Sequence, residues 1–393
     1  MRDKEKVWLV MALLLTVSLI AGLTSPAEAK KVVKIAFIGP LTGGAAGFGL
    51  GGRNSADLAI REANKSGKFP YEIKLLPVDD ASDPDTGVAG AEKACADPDL
   101  VAGIGHFNSP VALATIHVYH RYRLPFIVWY AVHPDITYGH KYKEIFRIYQ
   151  IMSVQMDAIA DSLVNKFKYN KWSLIHDLSN LGEIQRKDFM NSFPKKGAKV
   201  LSVDGVAVGQ TDFLPILTKI KALNPEGIYY GGVVMEAALI KAQMQKLGMS
   251  NVVFASGSGI VTETFNEIAK ESGEGSMGFF MGKPVEKLRG GKEFLVAYKA
   301  AGYKEPYEVA GPLAYDAVGI ILSALQKVGP DDREALAKAI SAVRYEGLLG
   351  ETTFDERGQT KLAVVSEFVS QDGKWVIWED SAYAKGQRRL PRR

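Results

Sequence analysis

Cys95 is the only cysteine in 393 residues, so no intramolecular disulfide can staple the chain and its stability must come from apolar cores. Beyond Leu23 no apolar run is long enough to span a bilayer. An excess of one charge is also missing from the body. Of a net charge of +4, five positives (Lys385, Arg388, Arg389, Arg392 and Arg393) crowd the C-terminal end. The near-neutral remainder excludes a nucleic-acid surface as a property of the fold, and the tail either touches an anionic membrane or stays solvated and disordered.

Catalytic and cofactor patterns are equally scarce. Ser109 stands near His106, but no nucleophile-elbow sequence or oriented triad accompanies them, which argues against an enzyme. His117-x-x-His120 would share one helix face, yet no Asp, Glu or Cys follows at ligand spacing, so no metal site is expected. Gly47-x-Gly49-x-x-Gly52 has the glycine spacing of a dinucleotide fingerprint. It starts too far beyond the first strand, which ends near Ile38, to be the strand-to-helix turn that such binding needs. These glycines are expected to form a flexible loop over a ligand, with Phe48 as an apolar contact and no cofactor.

What is present begins with an export signal. Arg2, Lys4 and Lys6 precede an apolar run over 7–23, and Ala27-Glu28-Ala29 offers small residues at the cleavage spacing, so residues 1–29 read as a signal peptide cut after Ala29. No cysteine follows the run, which argues against a lipid anchor. The mature chain from Lys30 is too long for one compact core and predicts two lobes. Apolar runs at 33–38, 71–78, 100–104 and 126–129 alternate with helical patterns, and a second series follows at 172–176, 200–203, 227–230 and 252–255. This predicts an α/β fold of two Rossmann-like lobes with parallel-sheet cores. Beyond 283 come helices at 293–301, 311–328 and 333–343, then strands at 352–354, 363–369 and 375–378.

The junction after the 100–104 run carries the functional expectation. Gly105 frees the turn, and Ser109-Pro110 reads as an N-cap followed by proline at the first helical position. Loops at the carboxyl ends of parallel strands line the ligand crevice of open α/β sheets, and a helix N-terminus favours an anion. Ser109 is therefore either a ligand contact or only the cap of its own helix. The loop from Tyr130 to Pro134 lies at another strand's carboxyl end.

Several local sequences, taken in order, resemble the periplasmic leucine/isoleucine/valine-binding proteins, the type I solute-binding proteins of ABC importers. They are Ile35-Ala36-Phe37-Ile38-Gly39-Pro40-Leu41-Thr42-Gly43, Asp79-Asp80-Ala81-Ser82-Asp83-Pro84, Ile104-Gly105-His106 with Ser109, Tyr229-Tyr230-Gly231-Gly232, Ala314-Tyr315-Asp316-Ala317-Val318 and Phe354-Asp355-Glu356-x-Gly358. The resemblance spans nearly the whole mature chain. It implies a three-strand hinge with crossings near Tyr149, Gly282 and Thr360. Lobe 1 is then 30–149 plus 283–360, lobe 2 is 150–282 plus 361–380, and 381–393 forms a basic tail. It further implies a monomer that closes on a small molecule in the periplasm and delivers it to an ABC permease; a periplasmic sensor for a signalling partner is the alternative.

The resemblance also implies site residues. Ser109 matches the family's carboxylate-binding serine and Ala131 a backbone contact. Where the family has a threonine, a tyrosine and the acid that holds an ammonium, this chain has Val132, Val233 and Ser258. Phe48, Phe107, Tyr130, Leu181, Val132 and Val233 are expected to make an apolar cleft, with Asn108, Ser109 and Ser258 as its polar fixtures. Such a cleft suits a carboxylate, amide or aromatic compound lacking an amino group, while a true branched-chain amino acid remains the alternative, with Glu236 the nearest substitute ammonium partner.

Overall fold

The computed structural model describes residues 30–392 except Val233, Val309, Ala363 and Val364; the signal-peptide reading at 1–29 and the site expectation at Val233 lie outside the described residues. The first half runs β1 (Val32–Gly39), α1 (Ala46–Lys65), β2 (Glu72–Asp79), α2 (Pro84–Cys95), β3 (Leu100–Gly105), α3 (Ser109–Arg121), β4 (Phe126–Val128), α4 (Asp135–Tyr138) and β5 (Ile145–Arg147). Its five strands form a parallel sheet in the order β2-β1-β3-β4-β5. β3 and β4 are buried along their whole length because helices cover both faces, which is why they read as unbroken apolar runs. The strand order reverses direction at β1, so the loops after β1 and β3 part there and leave a crevice at the carboxyl ends.

The chain crosses at 148–151 into a second sheet. There α5 (Met152–Ala160) continues through a π-helical turn to Lys166, followed by β6 (Lys171–Asp177), α6 (Asn180–Lys195), β7 (Lys199–Val206), α7 (Leu214–Ala222), β8 (Gly227–Gly231), α8 (Val234–Lys246), β9 (Val253–Ser256), α9 (Glu263–Ala269) and β10 (Met277–Met281). It returns through 282–290 to α10 (Gly291–Ala300), α11 (Gly311–Val328), α12 (Arg333–Ser341) and a hairpin of β11 (Tyr345–Gly347) and β12 (Gly350–Thr352). A third crossing leads to β13 (Val365–Gln371) and β14 (Lys374–Ile377). The second sheet has the order β14-β13-β10-β9-β8-β6-β7, parallel except that β13 and β14 add antiparallel at one edge. Two lobes with parallel-sheet cores result. α11 packs on α1 and seats Ala314, Ala317, Val318 and Ile321 in the first lobe's core.

Three sequence expectations are corrected. α1 begins at Ala46, so the glycines from Gly47 to Gly52 are helical rather than a flexible loop. Close approach explains two of the motif's three: a Cβ on Gly49 would lie 1.8 Å from the Pro40 carbonyl oxygen and one on Gly52 would lie 2.9 Å from the Trp129 ring, whereas one on Gly47 would meet nothing within 4 Å. The strand expected over 352–354 is instead the end of β12, with Phe354 making only an isolated bridge to Thr360. The C-terminal residues are ordered against lobe 2. Arg388 pairs with Glu274 at 2.7 Å and Asp372 at 2.8 Å, the Tyr169 hydroxyl donates to the Pro391 carbonyl, and the Arg392 guanidinium lies 5.4 Å from the Tyr169 ring centre. Acids from the segment between α9 and β10 (Glu274) and from the β13–β14 turn (Asp372) offset the tail's charge.

Candidate functional site

The loop after β3 is held from beneath by a polar network with no solvent exposure. His106 pairs through Nδ1 with Asp80 at 2.9 Å, and through Nε2 with the Tyr119 hydroxyl at 2.7 Å and Thr115 at 2.9 Å. Burial pushes the Tyr119 phenol well up, so it remains a neutral hydrogen-bonding group. These bonds tie the β3 loop to the end of β2 and to the body of α3. Satisfied buried polar groups of this kind fix one geometry.

Ser109 does not cap its own helix. Asn108 occupies the N-cap position, without a side-chain bond to the helix, and its Oδ1 is buried without a partner. The Ser109 hydroxyl instead accepts the N–H groups of Val132 and His133, each at 3.2 Å, from the loop after β4. Serine oxygen and two peptide N–H groups thus converge where two strand-end loops meet. Such a cluster can bind a carboxylate, which accepts from the same N–H groups and from the serine hydroxyl.

Beside it stands a wall of stacked rings. Phe48 lies 4.9 Å from Phe107, Phe107 4.7 Å from Tyr130, and Tyr130 4.8 Å from Tyr149, with interplanar angles of 20°, 14° and 16°. Trp129 backs the middle of the row, 6.1 Å from Phe107. Phe48, Phe107 and Tyr130 remain half-buried, so their ring edges are available for contact. Burial raises the hydroxyl pKa values of Tyr130 and Tyr149. Where the row reaches Tyr149 a cavity of about 340 Å³ opens between the lobes, walled by Tyr130 and Tyr149 on one side and by Val261, Phe280, Met281 and Phe368 on the other. A larger groove of about 690 Å³ near Tyr142 and Lys338 is lined by residues of lobe 1 and its third crossing, without a wall from the second sheet.

On lobe 2, Leu181 is half-buried in the first turn of α6, and Ser258 opens a 3₁₀ turn directly after β9. Glu236 is turned to its own lobe, where Oε1 accepts the Gly209 N–H at 2.7 Å. Asp177 ends β6 and is buried; its Oδ1 accepts from the Ser179 N–H at 3.1 Å and from the Ser179 hydroxyl. Below Leu181 on the same helix, Asp188 has its carboxyl pushed up to about 6 by burial.

A sequence model of the family described as periplasmic binding protein matches residues 32–369. The chain belongs to the periplasmic binding protein family. It is 29% identical over 343 residues to the leucine-, isoleucine-, valine-, threonine- and alanine-binding protein of Pseudomonas aeruginosa, covering 87% of this chain and 91% of that one. It is 30% identical over 326 residues to Leu/Ile/Val-binding protein homolog 1 of Brucella abortus, covering 82% and 86%. A putative branched-chain amino acid ABC transporter structure from Rhodospirillum rubrum superposes with a TM-score of 0.77 at 24% identity, over 88% of this chain and 99% of that one. A solute-binding protein from R. palustris in complex with 4-hydroxybenzoate superposes with a TM-score of 0.66 at 21% identity, over 88% and 95%. These two show the shared fold. The family is one of solute-binding proteins of ABC transporters, not of enzymes. Among the described residues of this binding protein, no helix is long and apolar enough to cross a membrane.

Seven of the residues singled out from the sequence, Phe48, Phe107, Asn108, Ser109, Tyr130, Ala131 and Val132, come together on lobe 1. Leu181 and Ser258 sit on lobe 2, in the first helical turns that follow β6 and β9. Sequence reasoning missed Tyr149 as the end of the ring row, Asp177, and Arg147, whose guanidinium lies behind the β4 loop. Asp177 had a usable signal, since it is an acid at a strand's carboxyl end. Arg147 had none, because two of its acceptors are backbone carbonyls and a third, Gln359, lies 212 residues away in the chain.

Proposed function

We propose that this ABC-transporter substrate-binding protein captures a small organic acid that lacks an α-amino group. The carboxylate binds at Ser109 and the N–H groups of Val132 and His133, and the apolar or aromatic body lies along Phe107, Tyr130 and Tyr149. Lobe 1 (30–149 plus 283–360) and lobe 2 (150–282 plus 361–380) close over the ligand about the three crossings, and the closed monomer docks on its permease. Only a closed form lets both lobes contact one ligand, so binding biases the hinge.

The observation that carries this reading is the ring row beside the N–H cluster; the family resemblance adds the expectation that Ser258, rather than an acid, stands at the second lobe's ammonium position. A buried ammonium without an anionic partner costs several kcal/mol. The relative from R. palustris, in complex with 4-hydroxybenzoate, supports an aromatic acid as one candidate. A second reading, a branched-chain amino acid, is favoured by the names of the curated relatives and by Asp177, the buried carboxylate at the β6 end.

Melting of the mature protein with L-leucine, 4-methylpentanoate and 4-hydroxybenzoate separates the two. A ligand at 100 times its Kd adds about 2.7 kcal/mol of stability. Stabilisation by either acid and not by leucine supports the proposal; stabilisation by leucine alone overturns it in favour of the amino-acid reading.

A further inference from the structure

Resting on the reading that an anionic group binds at the β3 and β4 loops, we infer that Arg147 is a positioning residue that makes this loop pair selective for an anion. Arg147 ends β5 with no solvent exposure. Its Nη1 donates to the His133 carbonyl at 2.6 Å and reaches the Ala131 carbonyl at 3.5 Å; Nη2 donates to the Thr137 hydroxyl at 3.0 Å and Nε to Gln359 Oε1 at 2.6 Å. Every one of these acceptors is neutral. Among the described residues no carboxylate lies within ion-pair distance, and the compensation comes from the Tyr138 hydroxyl and, less, from Asp355, to which that hydroxyl donates. A cation buried without a counter-ion is costly unless an anion arrives nearby. Consistent with this, burial pulls the Arg147 pKa down to about 10.

The geometry supplies the route by which that charge reaches a ligand. The Ala131 carbonyl and the Val132 N–H are two ends of one peptide unit. The oxygen end faces the guanidinium and the N–H end faces Ser109 Oγ. Holding the carbonyl orients the dipole with its positive end toward the anion seat, and the cation behind it raises the potential there. An amide or alcohol in the same seat gains the hydrogen bonds without the charge interaction, so the preference is for a carboxylate over its neutral isostere.

The test places a titrating reporter in the seat and needs no knowledge of the natural ligand. Ser109→Cys puts a thiol where Val132 and His133 donate, and its pKa is read from iodoacetamide alkylation rates between pH 5 and 10. The native Cys95 is buried with its thiol pushed up to about 11, so it stays silent over most of this range. The S109C thiol is expected at least about one unit below the ordinary 8.5. Adding Arg147→Met should return it upward by about a unit, a roughly tenfold fall in thiolate at pH 7, whereas Arg147→Lys should leave it low. Arg147→Gln, which keeps a donor for the His133 carbonyl, replaces the Met variant if that one does not fold. A thiol with the same pKa in S109C and its neutral Arg147 variants, or an ordinary pKa in S109C itself, overturns the inference. If the thiol depends on Arg147 but neither organic acid stabilises the wild-type protein, the ligand reading falls and the assignment of Arg147 stands.

Discussion

Asp316 gives a stability prediction whose sign and size follow from its surroundings. It lies on α11, fully buried, and its two carboxyl oxygens accept the N–H groups of Leu348 and Leu349 at 2.9 and 2.8 Å. Those residues form the tip of the β11–β12 hairpin, and Leu349 lines the cavity between the lobes. Desolvation outweighs the two hydrogen bonds and pushes the carboxyl up to about 7. An acid whose folded pKa lies above its unfolded value favours the native state most when both states are protonated, and that advantage drains away once the unfolded state ionises and the native one does not. Stability from this group is therefore fully present below about pH 3.8 and is lost as pH rises to about 7, with no further change above. From pH 5 to pH 8 the loss is about 3 kcal/mol, at roughly 1.4 kcal/mol per unit. Urea denaturation of wild type and Asp316→Asn across pH 4.5–8.5 measures it. Asn keeps one acceptor and does not ionise, so the variant should be the less stable protein at pH 5 and gain on wild type by about 3 kcal/mol by pH 8. Parallel pH profiles for the two proteins would refute the argument, because they would mean that Asp316 ionises equally in both states.

Other substitutions test the remaining parts of the structure. His106→Ala strands the buried Asp80 carboxylate and should destabilise folding by about 3–5 kcal/mol in urea denaturation, whereas His106→Gln retains polar partners and should cost less. Phe107→Ala removes the ring at the centre of the row, and isothermal titration with the stabilising acid should show at least a tenfold weaker Kd, with little change for Phe48→Leu at its end. Asp177→Asn should leave binding of an acid without an amino group within about twofold, while a protein that binds leucine through Asp177 should lose it. Truncation after Asp380 removes the Arg388 and Pro391 contacts, so a lower melting temperature is expected, and an unchanged one would show that the tail's contacts contribute nothing.

The lobes were legible because their physics is local. A strand covered on both faces must be apolar throughout, and 100–104 and 126–129 announced themselves in that way. Ser109 was legible as a junction between strand end and helix start, though its bonds to Val132 and His133 depend on a loop more than twenty residues away. The glycine motif misled for the opposite reason. Gly49 and Gly52 answer to Pro40 and Trp129, contacts that exist only once the lobe is folded, and nothing in the motif's spacing separates a packed helix from a loose loop. β5 and β10 were not anticipated: β5 is three residues long and ends in a charged residue, and β10 runs directly into the second crossing. The order of the tail likewise rests on Glu274 and Asp372, acids that composition alone cannot place beside it.

The same long-range wiring joins the candidate site to the hinge. Arg147 is the last residue of lobe 1's sheet before the first crossing, and its backbone pairs with the third: its N–H donates to the Gly358 carbonyl at 2.8 Å, and its carbonyl accepts from Thr360 at 2.9 Å. Gln359, which accepts from the guanidinium, donates its own amide to the Tyr149 carbonyl at 3.0 Å. Tyr149 in turn ends the ring row and walls the cavity. The proposed carboxylate seat, the ring row and two of the three crossings therefore share one set of hydrogen bonds around Arg147 and Gln359. On the proposed binding mode, a ligand that presses on Tyr130 and draws the β4 loop toward its carboxylate acts on the crossings about which the two lobes are proposed to turn. Gln359→Leu, which breaks this set without touching the seat, should then separate binding from closure: affinity for the acid held within a few fold, but a weaker ligand-induced compaction in small-angle scattering. Equal compaction in variant and wild type would show that closure is driven by contacts across the cleft alone.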